Sequence, residues 1–310
     1  MADDPLLARL RERVAGAVLP DEAMARHTTL RVGGPARVLL RAESAADLVA
    51  TAQVCADEGV RWLILGRGSN LLVSDQGWNG VVVKLGRAFR GIEIDGERVV
   101  AGAAEPMPVL AQAVAAAELG GLAFGVAIPG SLGGAVRMNA GAHGHELREV
   151  LKWVEVVRLD RDGLTERLPA AALRMTYRHS ELPADAVALR AGLSLQRTDP
   201  AALEESMAEM RRWRREHQPL GEPSCGSVFR NPPGDSAGRL IEAAGLKAHH
   251  VGGAQVSPRH ANFITVTPGA RAHDVAQVIA DVTQGVAQRF SVTLETEVVM
   301  AGFDEVRSTS

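Results

Sequence analysis

Only two cysteines occur in the 310 residues of this chain, Cys55 and Cys225. Two isolated thiols cannot form a disulfide framework, and neither has a Cys or His neighbour at zinc-binding spacing. Nine histidines are present, but none lies in an HExxH pattern, and the adjacent His249 and His250 diverge on most backbones, so no metal site is expected. Long apolar runs are missing too: nothing approaches the roughly 18 residues of a membrane span. The opening MADDPLLARLRERV is charged and amphipathic, unlike a basic start followed by an apolar core, so a cytoplasmic location with no membrane partner is expected. Excess charge is also absent. The net charge is -3, and the one basic cluster, Arg211 to Arg215, shares a helical pattern with Glu204, Glu205 and Glu209, so nucleic acid is not an expected partner. No repeat, low-complexity segment or sign of an obligate protein partner is visible.

What remains is a globular composition, 46% apolar and 23% charged, long enough for two or three cores. Ser44 with Asp47 three residues on marks a helix start, Leu48, Thr51, Ala52 and Cys55 follow at helical spacing, and Gly59 closes it. RWLIL (61–65) and VVVKL (81–85) read as strands, and 90–102 as a hairpin turning at Asp95-Gly96. A helix is expected over 106–119, then a glycine-rich stretch from Gly125 to Gly144. WVEVVRLD (153–160), turned at Asp162-Gly163, and AVALRAGLSL (186–195) alternate as half-buried strands do. A boundary follows near 198, with Asp199 as N-cap, Pro200 at the first helical position and Leu203, Met207, Met210 and Trp213 as one apolar stripe. Beyond it the pattern predicts a short helix over 236–244, a strand over 261–266, a helix burying Val275, Val278, Ile279, Val282 and Val286, and a strand over 294–302. The expected division is therefore 1–198, with subdomains of about 1–86 and 87–198, and a separate α+β unit over 199–310.

Two glycine loops carry the first chemical signal. ILGRGSNLLVSD (64–75) leaves a strand through Gly66 and Gly68 and presents Ser69 and Asn70. Glycines let successive backbone N–H groups converge on an anion such as a pyrophosphate. The dinucleotide fingerprint GxGxxG opens a long helix, and no helical pattern follows here, so a Rossmann unit is not expected. IPGSLGGAVRMNAGAHG (128–144) places Gly130, Gly133, Gly134, Gly141 and Gly144 with Ser131 and Asn139 in a setting too apolar for a linker. Two such loops suit a large flat cofactor lying on bare backbone; tight packing is the plainer alternative.

HTTLRVGGPA (27–36), LGRGSNLLVSD (65–75), IPGSLGGAVRMNAGAHG (128–144), YRHS (177–180), CGSVFRNP (225–232), AGLK (244–247), GGAQVSPRHANFI (252–264) and LETEV (294–298) occur in this order. Together they closely resemble the UDP-N-acetylenolpyruvoylglucosamine reductase family, over about residues 20–303. The resemblance implies an α+β fold: a two-subdomain FAD-binding region of the vanillyl-alcohol-oxidase (PCMH) type, plus a C-terminal α+β substrate domain. The short span between Tyr177 and Cys225 resembles the second type, which lacks a tyrosine-bearing loop. The implied activity is NADPH- and FAD-dependent reduction of UDP-N-acetylglucosamine enolpyruvate to UDP-N-acetylmuramate in peptidoglycan precursor synthesis.

Residue by residue, the resemblance assigns FAD contacts to Gly66, Gly68, Ser69, Asn70, Pro129, Gly130, Ser131, Gly133, Gly134, Asn139 and Gly141. In the implied reaction a hydride passes from flavin N5 to the enolpyruvyl group. Ser227 matches the proton donor, Arg178 the arginine beside the substrate carboxylate, and Glu297, the second glutamate of LETEV, a carboxyl that shares in protonation when desolvation raises its pKa. Tyr177, Asn231, Lys247, Gln255, His260 and Asn262 are the substrate candidates. Cys225 has no base partner in its motif and is read as structural. Arg137 and His143 depart from the family pattern, and the helix near Asp274 lacks the Ser or Thr cap expected there. Another FAD oxidoreductase of the superfamily would have no reason to carry CGSVFRNP and LETEV. A protein that binds the nucleotide sugar without turnover would have none to keep Arg178, Ser227 and Glu297.

Overall fold

The computed structural model describes residues 4–159 and 163–303, which contain the expected alternation of helices and strands. The chain folds into two compact units, both discontinuous in sequence. The first takes the chain up to Pro20, Val38–Arg67 and Gly80–Trp213; the second takes Asp21–Arg37, Gly68–Asn79 and the chain from Arg214 onward. Among the described residues, no helix is long and apolar enough to cross a membrane.

In the first unit the helix Ala45–Asp57 starts where local chemistry dictates, since the Ser44 hydroxyl accepts the Asp47 N–H. The Asp47 carboxylate reaches back to the N–H groups of Ala15 and Glu43. The helix buries Leu48, Val54 and Cys55 against Val38, Leu40, Val81 and Val83 of a sheet with spatial order Ala17–Ala23, Pro35–Ala42, Trp78–Leu85 and Arg61–Leu65. The last two strands are parallel and pair Leu65 with Lys84. A second, antiparallel sheet runs Leu164–Pro169, Leu151–Arg158, Ala186–Ser194, Arg98–Gly102 and Ile92–Asp95. Its hairpin pairs Asp95 with Arg98, so the turn residues are Gly96 and Glu97, one position beyond the expected pair. The turn expected at Asp162-Gly163 falls partly outside the described residues. Helix Met107–Ala116 is shorter than the span 106–119 expected for it, and 119–120 continues instead as the short strand Leu119–Gly120. The stripe on helix Pro200–His217 buries Leu203 and Met207 but leaves Trp213 exposed.

In the second unit the strands Ser224–Ser227, Phe263–Val266, Ala254–Val256 and His250–Val251 form an antiparallel sheet. Helix Ala272–Phe290 buries Val275, Val278, Ile279, Val282 and Val286 in its core; each such side chain contributes about 1.5–3 kcal/mol relative to exposure. Leu30, Val32 and Leu72 join the same core, which is why 21–37 and 68–79 belong to this unit. The helix start near Asp274 is not uncapped. The Asp75 carboxylate accepts the N–H groups of Ala272 at 2.8 Å and His273 at 2.9 Å, and Asp274 accepts those of Arg271 and Gly253, which holds its carboxyl below the usual range. The strand expected over 294–302 is confined to Val299–Ala301, which pairs in parallel with Leu71–Val73.

Candidate active site

In the first unit, the segment Gly66-Arg67 lies against 129–131. Arg67 donates through Nε to the Pro129 carbonyl at 2.8 Å, and a β-carbon on Gly66 would stand 2.9 Å from the Ser131 hydroxyl. The glycine-rich stretch is not all loop: Ser131 caps a short helix, Leu132–Met138, whose Leu132, Ala135 and Val136 are buried. The adjacent Gly133 and Gly134 do different work. A β-carbon on Gly133 would meet the Ala103 methyl and carbonyl at 3.1 and 3.2 Å, a packing constraint. On Gly134, which is exposed, it would meet only Ser131 Oγ at 3.6 Å. Exposed Gly134 and half-buried Gly130, next to exposed Pro129, thus leave backbone bare of side chains, as a flat ring system or pyrophosphate requires.

Sequence reasoning missed a cation here. Lys84 pairs with Leu65, the residue before Gly66, and burial pushes its amine down, with Arg41, Arg67 and Arg90 adding like-charge repulsion. A phosphate would relieve that repulsion. The visible signal was a lone charge within VVVKL.

YRHS forms a tight turn in which Thr176 and His179 exchange backbone hydrogen bonds, with Tyr177 and Arg178 at the corner. Arg178 has φ 54°, a left-handed conformation costing about 1–3 kcal/mol for a residue of its kind. Its guanidinium donates to the Gly141 carbonyl at 2.9 Å, lies 3.9 Å from Glu146 and sits 4.9 Å from the centre of the half-exposed Tyr177 ring. Asn139, expected to touch the cofactor, is fully buried instead. Its amide donates to Glu146 and to the Thr176 carbonyl and accepts the Arg148 N–H, so it braces the Arg178 turn. Arg137 likewise ties down the carbonyls of Leu182, Pro183 and Ala186, and His143 meets the edge of Trp213 at 5.3 Å.

In the second unit, Gly68 has φ 66°, and a β-carbon there would strike the His27 carbonyl at 2.0 Å, so only glycine fits. Ser69 and Asn70 are half-buried beside it, and the Asn70 amide donates to the Glu297 carbonyl at 2.9 Å. Ser227 ends the strand Ser224–Ser227 opposite Phe263, after Gly226 at φ 76°. The next residues are held from both sides. The Asn262 side chain accepts the Phe229 N–H and donates to its carbonyl, while Glu297 donates its N–H to the Val228 carbonyl at 2.7 Å. Asn262, a substrate candidate in the sequence, is 4% exposed and works as this clamp. The clamp and the Glu297 bond bring a hydroxyl-bearing and a carboxyl-bearing residue to one stretch of backbone. Glu295 is exposed and Glu297 half-buried. Burial pushes the Cys225 thiol up to about 12, with the negative charge of Glu297 adding to the rise, so it is no nucleophile at neutral pH.

The remaining substrate candidates also lie in this unit. Asn231 accepts the Ala237 N–H, Lys247 donates to Glu242, and Gln255 donates to the Ala248 carbonyl. His260 stands edge-on to Phe263 at 4.7 Å and accepts the Asn262 N–H through Nδ1; burial, with Lys247 and His217, holds it below its ordinary value. Among the described residues, no group of His, Cys, Asp or Glu is arranged to hold a metal.

Two families match the chain. Residues 36–168 match the FAD binding domain family, and 218–301 match the family described as UDP-N-acetylenolpyruvoylglucosamine reductase, C-terminal domain. UDP-N-acetylenolpyruvoylglucosamine reductase of Heliobacterium modesticaldum is 44% identical over 289 residues, 93% of this chain and 91% of that protein. The enzyme of the same name from Anaeromyxobacter sp. strain Fw109-5 is 45% identical over 295 residues, 95% of this chain and 92% of the relative. The crystal structure of UDP-N-acetylenolpyruvylglucosamine reductase from Thermus caldophilus superposes with a TM-score of 0.79 at 35% identity, covering 92% of this chain and 98% of that one. The bare backbone at Gly130 and Gly134 and the cation beside Gly66 fit FAD, whose ring system and pyrophosphate need just those features. With near-complete coverage by relatives of one activity, the chain belongs to the UDP-N-acetylenolpyruvoylglucosamine reductase family and is an oxidoreductase with an FAD-binding α+β fold.

Proposed function

We propose that this enzyme reduces UDP-N-acetylglucosamine enolpyruvate to UDP-N-acetylmuramate with NADPH, a cytoplasmic step of peptidoglycan precursor synthesis. In this reading residues 1–198 hold FAD and 199–310 take the sugar nucleotide. The observation that supports it is the 2.7 Å bond from the Glu297 N–H to the carbonyl of Val228, which holds Glu297 beside the residue that follows Ser227.

Bound FAD supplies hydride exchange, from NADPH and then through N5 to the enolpyruvyl double bond. The chain supplies the rest. Hydride addition leaves an electron pair on the carbon beside the substrate carboxylate, and that carbon needs a proton. The Ser227 hydroxyl donates it, an adequate acid toward an enolate, and is reprotonated from solvent. Arg178, permanently charged and fixed by its strained turn, stabilises the enolate and its carboxylate. Glu297 shares in the proton transfer, its carboxyl taking up and passing on a proton in the same site. Lys84 and the backbone at Gly66, Gly68, Ser69, Gly130, Ser131 and Gly134 hold the cofactor. Asn231, Lys247, Gln255 and His260 meet the diphosphate, uridine and carboxylate. The span from Tyr177 to Cys225 is filled by Ala186–Ser194 and Pro200–His217, as suits the loop-lacking second type.

The test separates the two half-reactions. In Ser227→Ala, reduction of FAD by NADPH stays nearly intact while reoxidation by the enolpyruvate slows by at least the roughly 10²- to 10⁴-fold usual for a general acid. Ser227→Cys recovers part of the loss. Equal slowing of both steps, or no slowing of reoxidation, would contradict this role.

A further inference from the structure

Glu297 sits where its segment changes partners. Before it, 295–297 run antiparallel to 228–230: Arg230 donates to the Glu295 carbonyl, Thr296 bridges Phe229, and Glu297 donates to Val228. After it, Val299–Ala301 run parallel to Leu71–Val73, and Val299 donates to the Asn70 carbonyl at 3.1 Å. At the handover the Glu297 carbonyl lies outside both ladders. Its acceptor need is met by the Asn70 side chain at 2.9 Å. A side-chain amide thus stands in for a ladder bond at the one residue of the segment to which chemistry is assigned.

Both peptide groups flanking the Glu297 α-carbon are therefore fixed, the N–H by Val228 and the carbonyl by Asn70. With both pinned, the Cα–Cβ bond has one direction, which limits the positions the carboxyl group can reach through its own rotamers. Asn70 belongs to the loop Gly68-Ser69-Asn70, whose sequence first suggested a cofactor contact. We infer that the Asn70 side chain is a positioning residue for Glu297, tying the carboxyl to the glycine loop, and that it is not a ligand of the cofactor. The inference rests on the catalytic reading of Glu297 given above.

A mutant cycle of Asn70→Ala, Glu297→Gln and the double variant tests this, with stopped-flow rates for each half-reaction and FAD affinity from flavin fluorescence on titrating the apoprotein. Asn70→Asp, similar in shape but without the donor, serves as a second variant should alanine compromise folding. Asn70→Ala and Asn70→Asp slow reoxidation by the enolpyruvate roughly 10- to 100-fold, the scale of a misplaced catalytic group. In the Glu297→Gln background the same change costs no more than about twofold, the tolerance of uncoupled sites. FAD affinity and reduction by NADPH stay within that same factor of about two. Weakened FAD binding, or equal slowing in both backgrounds, overturns the inference. Normal reoxidation in Glu297→Gln alone overturns the reading beneath it, a separate failure seen in a separate variant.

Discussion

Replacing Gly134 with valine isolates cofactor binding from folding. A β-carbon at this exposed position meets only Ser131 Oγ, at an ordinary 3.6 Å, so the protein has room for it. Gly134 lies in the first turn of helix Leu132–Met138, where valine is favoured over glycine by less than about 0.5 kcal/mol. The melting temperature of the apoprotein therefore changes by no more than about 1–2 °C. The same side chain occupies the space assigned to the flavin, and the purified variant is colourless with a folded circular-dichroism spectrum. Gly133→Val is the contrast. Its β-carbon falls 3.1 and 3.2 Å from the methyl and carbonyl of Ala103, a residue 1% exposed, and such overpacking costs about 1–3 kcal/mol. That corresponds to a fall of at least about 2 °C in melting temperature. Visible absorbance, flavin released per chain and thermal melts of both apoproteins decide the matter. Normal flavin content in Gly134→Val, or a melt depressed as far as in Gly133→Val, would refute the reasoning.

Two further outcomes follow from titrating groups. Cys225, buried with its thiol pushed up to about 12, does not react with a thiol reagent at pH 8 in the native protein, and Cys225→Ala retains turnover; rapid labelling with parallel loss of activity would contradict this. His260 is held below its ordinary value of about 6.5, first by burial. A base depressed in the folded state contributes stability that is full above the unfolded value and is lost as pH falls toward the folded one. Denaturant melts from pH 7 to pH 5 therefore lose more stability in the wild type than in His260→Gln, and equal losses would exclude His260 as a cause.

Local features were readable because their partners are neighbours in sequence. Ser44 accepts from Asp47 and Asp199 from Ala202, both three residues away. The valines of the last long helix declare its face by periodicity alone. The cap on that same helix was invisible, because it comes from Asp75, 197 residues from Ala272. The discontinuity of the two units has the same origin. The parallel pairing of Leu71–Val73 with Val299–Ala301 and the burial of Leu30, Val32 and Leu72 join segments far apart in the chain.

The candidate site divides in the same way. Glycines report backbone needs directly, as Gly68 does at its positive φ. Asparagines do not report where their amides point. Asn139 braces a turn, Asn262 clamps Phe229 and Asn70 holds a carbonyl, although each stands in a motif that reads as a ligand-binding one. Lys84 escaped notice because the strand containing it looks purely structural until its pairing with Leu65 places it beside Gly66.

In the proposed reaction, Ser227, Arg178 and Glu297 serve the FAD-dependent reduction of an enolpyruvyl ether. An anaerobic titration followed in the visible spectrum tests it most directly. Stoichiometric NADPH is expected to bleach the bound flavin, and stoichiometric UDP-N-acetylglucosamine enolpyruvate to restore the oxidised spectrum with no oxygen present. A bleached flavin that returns only on admitting air, with no response to the enolpyruvate, would contradict the proposed reaction.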